Sequence, residues 1–258
     1  MKSYSGLVLG LIVLAGFLTA APARAEETPA SESCEVPDYL LASESALPKV
    51  EDAVKSKRSL DILVIGSRSS TISSPVNSSE TAAYPARLQA ALKEKWPSVA
   101  VNLSVEILAK MTAGEIVPGL PKLMEGKKPT LVIWQTGTVD AVRSVDTEDF
   151  RTALGEGVVA LQEAGADVIL INPQYSPRTE TMISAPPYLD NMRVVAQQHD
   201  VPLFDRFAIM QHWAESGEFD LFSAYHGVEL AKRVHNCIGQ ALSRFVIDAA
   251  HLNPAQQN

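Results

Sequence analysis

The chain has 258 residues, with 22 basic side chains against 30 acidic ones and a formal charge of −8. An acidic chain without a basic run excludes nucleic acid as an expected partner and argues against adsorption to anionic lipid. The length suits one α/β domain with a sizeable core.

The first 25 residues have the three parts of a secretory signal. Lys2 gives a positive start, Leu7 to Leu18 is almost unbroken apolar sequence, and Ala23-Arg24-Ala25 presents small residues where a signal peptidase reads. Cleavage is expected after Ala25, and a periplasmic or secreted location follows. The apolar run is shorter than the roughly 20 residues that cross a bilayer, so a membrane anchor is not expected, and no later segment qualifies. Removing this segment takes away Lys2 and Arg24 and no acid, which leaves the mature chain more acidic still. A polar tail and lead-in helix are expected over 26–58, the main domain over 59–250, and a loose end over 251–258. The two cysteines, Cys34 and Cys237, form an even pair in an oxidising compartment, so a disulfide from the tail to the last helix is expected.

From Asp61 the pattern alternates. Asp61–Gly66 is a short apolar run ending in glycine and reads as a buried strand. Pro85 opens a helix over Ala86–Glu94. Val99–Leu108 is β-branched and alternating, a second strand. Ala113–Met124 reads as a helix made uneven by Pro118 and Pro121. Thr130–Trp134 is a third strand, and Asp149–Ala164 an amphipathic helix closed by Gly165. Asp167–Ile171 is a fourth strand. A long loop from Asn172 to Pro187 leads to a helix at Leu189–Gln198. Val201–Phe204 is a short fifth strand, and the last helix covers about Val228 to Ala249, with apolar positions at 3–4 spacing. Strands alternating with helices predict right-handed crossovers and a mostly parallel sheet of about five strands in a three-layer α/β/α sandwich. Ligands of such sheets bind beyond the carboxyl ends of the strands. That rule selects Gly66–Thr71, Gln135–Asp140, Asn172–Arg178 and Asp205-Arg206.

A first strand ending Gly-x-Ser, a third ending Gly-Thr-x-Asp and a histidine before the final helix together resemble the SGNH or GDSL-type hydrolases. The resemblance covers roughly Asp61 to Val246 and implies a flavodoxin-like sheet. The family's first block reads Gly-Asp-Ser, whereas this chain has Gly66-Ser67-Arg68; a one-residue insertion brings Ser69-Ser70-Thr71 onto the family's Ser-x-Thr and makes Ser69 the implied nucleophile. The second block supplies an oxyanion glycine after strand two, but no glycine appears here until Gly114. In the third block Gly137 and Asp140 match, while Val139 stands where the family's asparagine donates. In the last block, Asp-x-x-His, His226 takes the place of the base and Ser223 that of the aspartate. Asp220 is a possible orienting carboxylate, and His235 is the alternative base.

The resemblance implies acyl transfer, with the histidine accepting the Ser69 proton as the hydroxyl attacks an ester carbonyl. Replacement oxyanion or substrate contacts are expected from Gly137, Thr138, Asp140 and Gln135. Arg178, in the long loop, either holds an anionic or sugar substrate or belongs to a proline-stiffened surface. Asp205 and Arg206 read as a local ion pair at the rim. No spacing points to a metal and no cofactor is expected. The substrate is expected to be a small-molecule, glycan or lipid ester. The motif departures leave a second reading open, an SGNH-fold binding or accessory protein of the cell envelope without catalysis.

Overall fold

The computed structural model describes residue 1 and residues 34–72, 80–181, 183–222 and 227–252. The expected signal segment with its cleavage point, residues 223–226 with Ser223 and His226, and the end of the C-terminal tail lie outside the described residues, as does the side chain of Arg178. Ser33–Asn258 forms one unit of the chain.

Five strands, β1 (Leu60–Gly66), β2 (Val101–Ile107), β3 (Leu131–Gln135), β4 (Asp167–Ile171) and β5 (Leu203–Phe204), form one all-parallel sheet in the order β2-β1-β3-β4-β5. The helices are α1 (Pro48–Lys55), α2 (Tyr84–Lys95), α3 (Ala113–Ile116), α4 (Leu120–Lys127), α5 (Thr138–Val142), α6 (Thr147–Glu163), α7 (Pro177–Glu180), α8 (Pro186–Gln198), α9 (Arg206–Ser216) and α10 (Gly227–Ala249).

The central strands are apolar except near their ends, at Asp61, Gln135 and Asp167, because both faces are covered. Alternate residues of each strand serve opposite layers. Ile62, Val64, Ile133 and Ile169 pack with Leu88, Trp213, Ile238 and Phe245 from α2, α9 and α10. Leu63, Val132, Trp134 and Val168 pack with Leu120, Phe150, Leu154 and Met192 from α4, α6 and α8. The edge strand β2 is only partly buried, which accounts for its alternating sequence. The predicted helix over Ala113–Met124 is interrupted: α3 ends at Ile116, a short turn carries Pro118, and α4 starts beside Pro121. Thr112 opens α3 with a capping box, its hydroxyl accepting from the Glu115 amide while Glu115 accepts from the Thr112 amide.

The expected disulfide is present. Cys34 and Cys237 are bonded across 203 residues of sequence, and both are buried. It fixes the segment before α1 to the middle of α10. Trp213 Nε1 donates to the Glu35 carbonyl beside it at 2.8 Å, and the Leu47 amide donates to the Ala249 carbonyl at 2.9 Å. Asp167 takes the amides of Lys49 and Val50 at 2.8 and 3.0 Å and so caps the start of α1. Among the described residues, no helix is long and apolar enough to cross a membrane.

The chain leaves β1 toward β2 on one side and reaches β3 on the other, so strand order reverses between β1 and β3. The crevice at their carboxyl ends is the switch point where such sheets bind ligands.

Candidate active site

β1 ends at Gly66, and Ser67 begins a tight turn over Arg68–Ser70, its hydroxyl accepting from the Ser69 amide at 3.4 Å. A side chain at Gly66 would put a carbon 2.2 Å from Ser70 Oγ, so glycine is required for the turn to fold back against the strand end. The turn sends Ser70 into the interior and leaves Ser69 half-buried, lining a cleft of about 810 Å³. The cleft runs between the ends of β1, β2 and β3 and the start of α10.

Gln135, the last residue of β3, is buried behind this turn. Its Oε1 faces Arg206 Nη1 at 3.0 Å, and a guanidinium can only donate, so the amide orientation is fixed. Nε2 therefore points at the serines, donating to Ser69 Oγ at 2.6 Å and Ser67 Oγ at 3.0 Å. Ser70 Oγ and Tyr84 Oη donate to the same Oε1 at 2.7 and 3.2 Å.

Arg206, the first residue of α9, lies 1% exposed. Nη1 donates to the Ser69 carbonyl at 3.1 Å and reaches Ser69 Oγ at 3.5 Å, while Nη2 donates to Gln174 at 3.2 Å. All these acceptors are neutral. Burial pulls its pKa down to about 10, still high enough to keep the charge at neutral pH. The expected Asp205–Arg206 ion pair is not formed. Asp205 caps α9 through the Ala208 amide at 2.9 Å, accepts from Asn172 at 2.7 Å and pairs with Arg193 at 3.1 Å. Arg206, the next residue, makes its contacts in the site instead. Sequence reasoning flagged its position after β5 but missed its role, because a charged side chain so deeply buried is uncommon.

His235 lines the cleft from α10 and is buried. Its Nδ1 accepts the Tyr84 amide proton at 3.0 Å, which places the ring proton of the neutral imidazole on Nε2. Burial first, and the Arg206 charge second, hold its pKa down to about 3. With Nδ1 engaged and Nε2 protonated, this ring is a donor toward the cleft and a poor base. Its geometry differs from a serine hydrolase base, in which Nδ1 carries the proton and Nε2 accepts.

Gly137 begins α5 with φ of 91°, a left-handed conformation that favours glycine, and a side chain there would press on Met192 and Pro173. Thr138 and Val139 follow it into the cleft lining; the Thr138 hydroxyl is buried and without a hydrogen-bond partner. Asp140 points elsewhere. It is buried, absent from the cleft lining, and accepts the Ala113 amide at 2.9 Å, tying α5 to the start of α3. Burial raises its pKa. Asp220 is exposed, accepts the Phe222 amide at 3.1 Å and is not part of the cleft lining. Arg178 lies on α7, outside the described side chains, and His226 precedes the first described residue of α10. Ser69, Gln135, Gly137, Thr138 and His235 are thus brought to one end of the sheet.

The family profile described as the Non-GDSL lipase-like family matches residues 33–252. A search of curated proteins finds no match. Among solved structures, a two-domain esterase active on acetylated mannans superposes with a TM-score of 0.64 at 15% identity, covering 85% of this chain and 58% of its own. Axe2, an acetylxylan esterase from Geobacillus stearothermophilus, gives 0.57 at 15% identity over 73% of this chain and 94% of its own. The esterase EstA from Pseudoalteromonas sp. gives 0.51 at 20% over 70% and 93%. At these identities the likeness is one of fold, a three-layer sandwich around a parallel sheet.

Proposed function

The chain belongs to the Non-GDSL lipase-like family, and on that premise we propose that it is an exported carboxylic ester hydrolase with Ser69 as nucleophile and His226 as base. The observation that carries this reading is the setting of Ser69 Oγ. It stands in the cleft at the switch point of the sheet, between the Gln135 amide at 2.6 Å and the Arg206 guanidinium at 3.5 Å. Both donate, which favours negative charge on the serine oxygen, and Ser67 Oγ, 3.2 Å away, can accept the serine proton until a base takes it.

His226 is preferred over His235 for two reasons. Gly227, the next residue, lines the cleft with Ser69. The Nδ1 of His235 is already occupied by the Tyr84 amide. In the proposed reaction His226 takes the hydroxyl proton as Oγ bonds to the ester carbonyl carbon. It returns the proton to the departing alcohol, and water, deprotonated by the same ring, releases the acyl group from Ser69. Asp220 is the carboxylate proposed to orient His226. Val139 has no donor to offer the oxyanion, and the Ser69 and Gly137 amides are turned to Ser67 Oγ and the Asp140 carboxylate, so the unpartnered Thr138 hydroxyl in the cleft lining takes that part, a well-placed donor being worth about 2.7–4 kcal/mol of barrier. Gln135 serves the serine rather than the substrate. Export rests on the three-part leader and agrees with a disulfide between Cys34 and Cys237.

A fluorophosphonate probe tests the assignment. Covalent labelling of wild-type protein that disappears in Ser69→Ala and in His226→Ala, with 4-nitrophenyl acetate hydrolysis lost in parallel, is the expected result. Folded wild-type protein that takes no label favours a binding or accessory protein without catalysis. Labelling that survives in Ser69→Ala moves the nucleophile elsewhere.

A further inference from the structure

The cleft is positively charged inside a negatively charged protein. Arg68, Lys110 and Arg143 line it, and no carboxylate stands among its described lining residues, although the chain carries 30 acids against 22 bases. Arg143 is neutralised, since both Glu115 oxygens accept from its Nη1 at 2.9 and 3.0 Å. Its Nη2 donates to the Lys110 carbonyl at 2.7 Å and thereby holds the backbone of the β2–α3 loop. Arg68 and Lys110 are different. Both are exposed, and neither side chain has an ion pair or hydrogen bond among the described residues. Arg68 immediately precedes Ser69, so one of these two open cations sits beside the proposed nucleophile. Beneath them lies the buried Arg206 charge, which adds to the same field. The rest of the cleft is largely apolar, with Ile72, Val139, Val142 and Val228 among its walls.

Resting on the ester-hydrolase reading, we propose that the preferred substrate is an ester that also carries an anionic group, a carboxylate or a phosphate, close to the scissile bond. The anion meets Arg68 and Lys110, and the apolar part of the molecule lies against Val139 and Val142. Guanidinium binds either anion through paired N–H donors, and lysine adds a point charge. The overall negative charge repels anions from the remaining surface, so the cleft is where the field of this protein admits one. A cationic ester would have to desolvate against like charges and is disfavoured.

Three acetyl esters of one shape separate the outcomes: 4-acetoxybenzoate, 4-acetoxyphenyl phosphate and the neutral 4-acetoxybenzamide. For the wild-type full chain, kcat/KM for at least one anionic ester is expected to exceed that for the neutral ester by about tenfold, the size of effect two partly screened charges supply. The ratio is expected to fall toward one in the Arg68→Gln/Lys110→Gln double variant and at about 0.5 M salt, where such charges are screened. Comparing the two anionic esters identifies carboxylate or phosphate as the favoured group. A wild-type ratio at or below one, or a ratio unchanged in the double variant, overturns the proposal. If none of the three esters is hydrolysed, the ester-hydrolase reading fails instead, and the anion site is then read from binding alone. Titrating 4-hydroxybenzoate, 4-hydroxyphenyl phosphate and 4-hydroxybenzamide by NMR should show tighter binding of at least one anion, lost in the double variant. Equal affinities overturn the anion site as well. Circular dichroism establishes that the double variant is folded.

Discussion

Gln135 holds Ser69 by a hydrogen bond of 2.6 Å whose direction is set by Arg206 on the other side of the amide. Gln135→Glu tests that relationship with little change of shape. The new carboxylate pairs with Arg206 and can only accept, so Ser69 loses the nearer of its two N–H donors and faces a negative charge. Ester hydrolysis and fluorophosphonate labelling are both expected to fall by about 10²–10³, the loss seen when one well-placed donor is removed from an active site. The thermal midpoint should stay close to wild type because Arg206 gains a partner. Full activity in Gln135→Glu contradicts the role given to this amide.

His235 makes folding pH-dependent with a definite sign. The folded protein keeps the ring neutral, with a pKa near 3, whereas an unfolded chain takes up a proton near pH 6.5. Stability from this group is therefore complete above about pH 6.5 and is lost as pH falls toward 3, by up to about 1.4 kcal/mol for each pH unit in that window. His235→Asn keeps an acceptor for the Tyr84 amide and removes the titration. Urea midpoints between pH 4 and 7 should change steeply in wild type and more gently in the variant. Arg206→Gln should raise the His235 pKa, measured by NMR, because that charge is the second cause of the depression after burial.

The Cys34–Cys237 bond closes a loop of 203 residues. Replacing both cysteines by alanine, or adding reductant under mild denaturant, should lower unfolding free energy by about 5 kcal/mol on a chain-entropy account. Equilibrium denaturation with and without reductant checks it. An unchanged midpoint means that the burial of the tail alone holds it in place.

Much of the sheet was legible because apolar strands covered on both faces leave a plain signature: β1, β3 and β4 lie within a residue or two of the runs that announced them. The fifth strand shrinks to Leu203–Phe204, because Pro202 before it has no N–H to give the ladder. Helix α9 escaped notice for a different reason. Its buried residues Arg206, Phe207, Ile209, Met210 and Trp213 do lie on one face at 3–4 spacing, but a charged residue, Arg206, heads that face and an apolar one, Ala208, lies off it, so the contrast between the faces is weak in the sequence.

At the site, the crevice rule led to Ser69 and to Gln135, because strand ends can be located from sequence. It did not tell which way the side chains there turn. Asp140 matched a family position yet turns inward to the Ala113 amide, and Arg206 was read as the partner of its neighbour Asp205. Both outcomes depend on contacts made by residues far apart in sequence, Ala113 with Asp140 and Ser69 with Arg206, which no local pattern records.

Arg206 has a consequence that reaches past any single contact. Its guanidinium is enclosed by Ser69, Gln135 and Gln174 before any visitor arrives. Water in the same place would have to reorient around each new charge as it forms. Here the dipoles are already aligned by the folded chain, so the energetic effort of arranging them falls at biosynthesis and is not repeated with every molecule that enters.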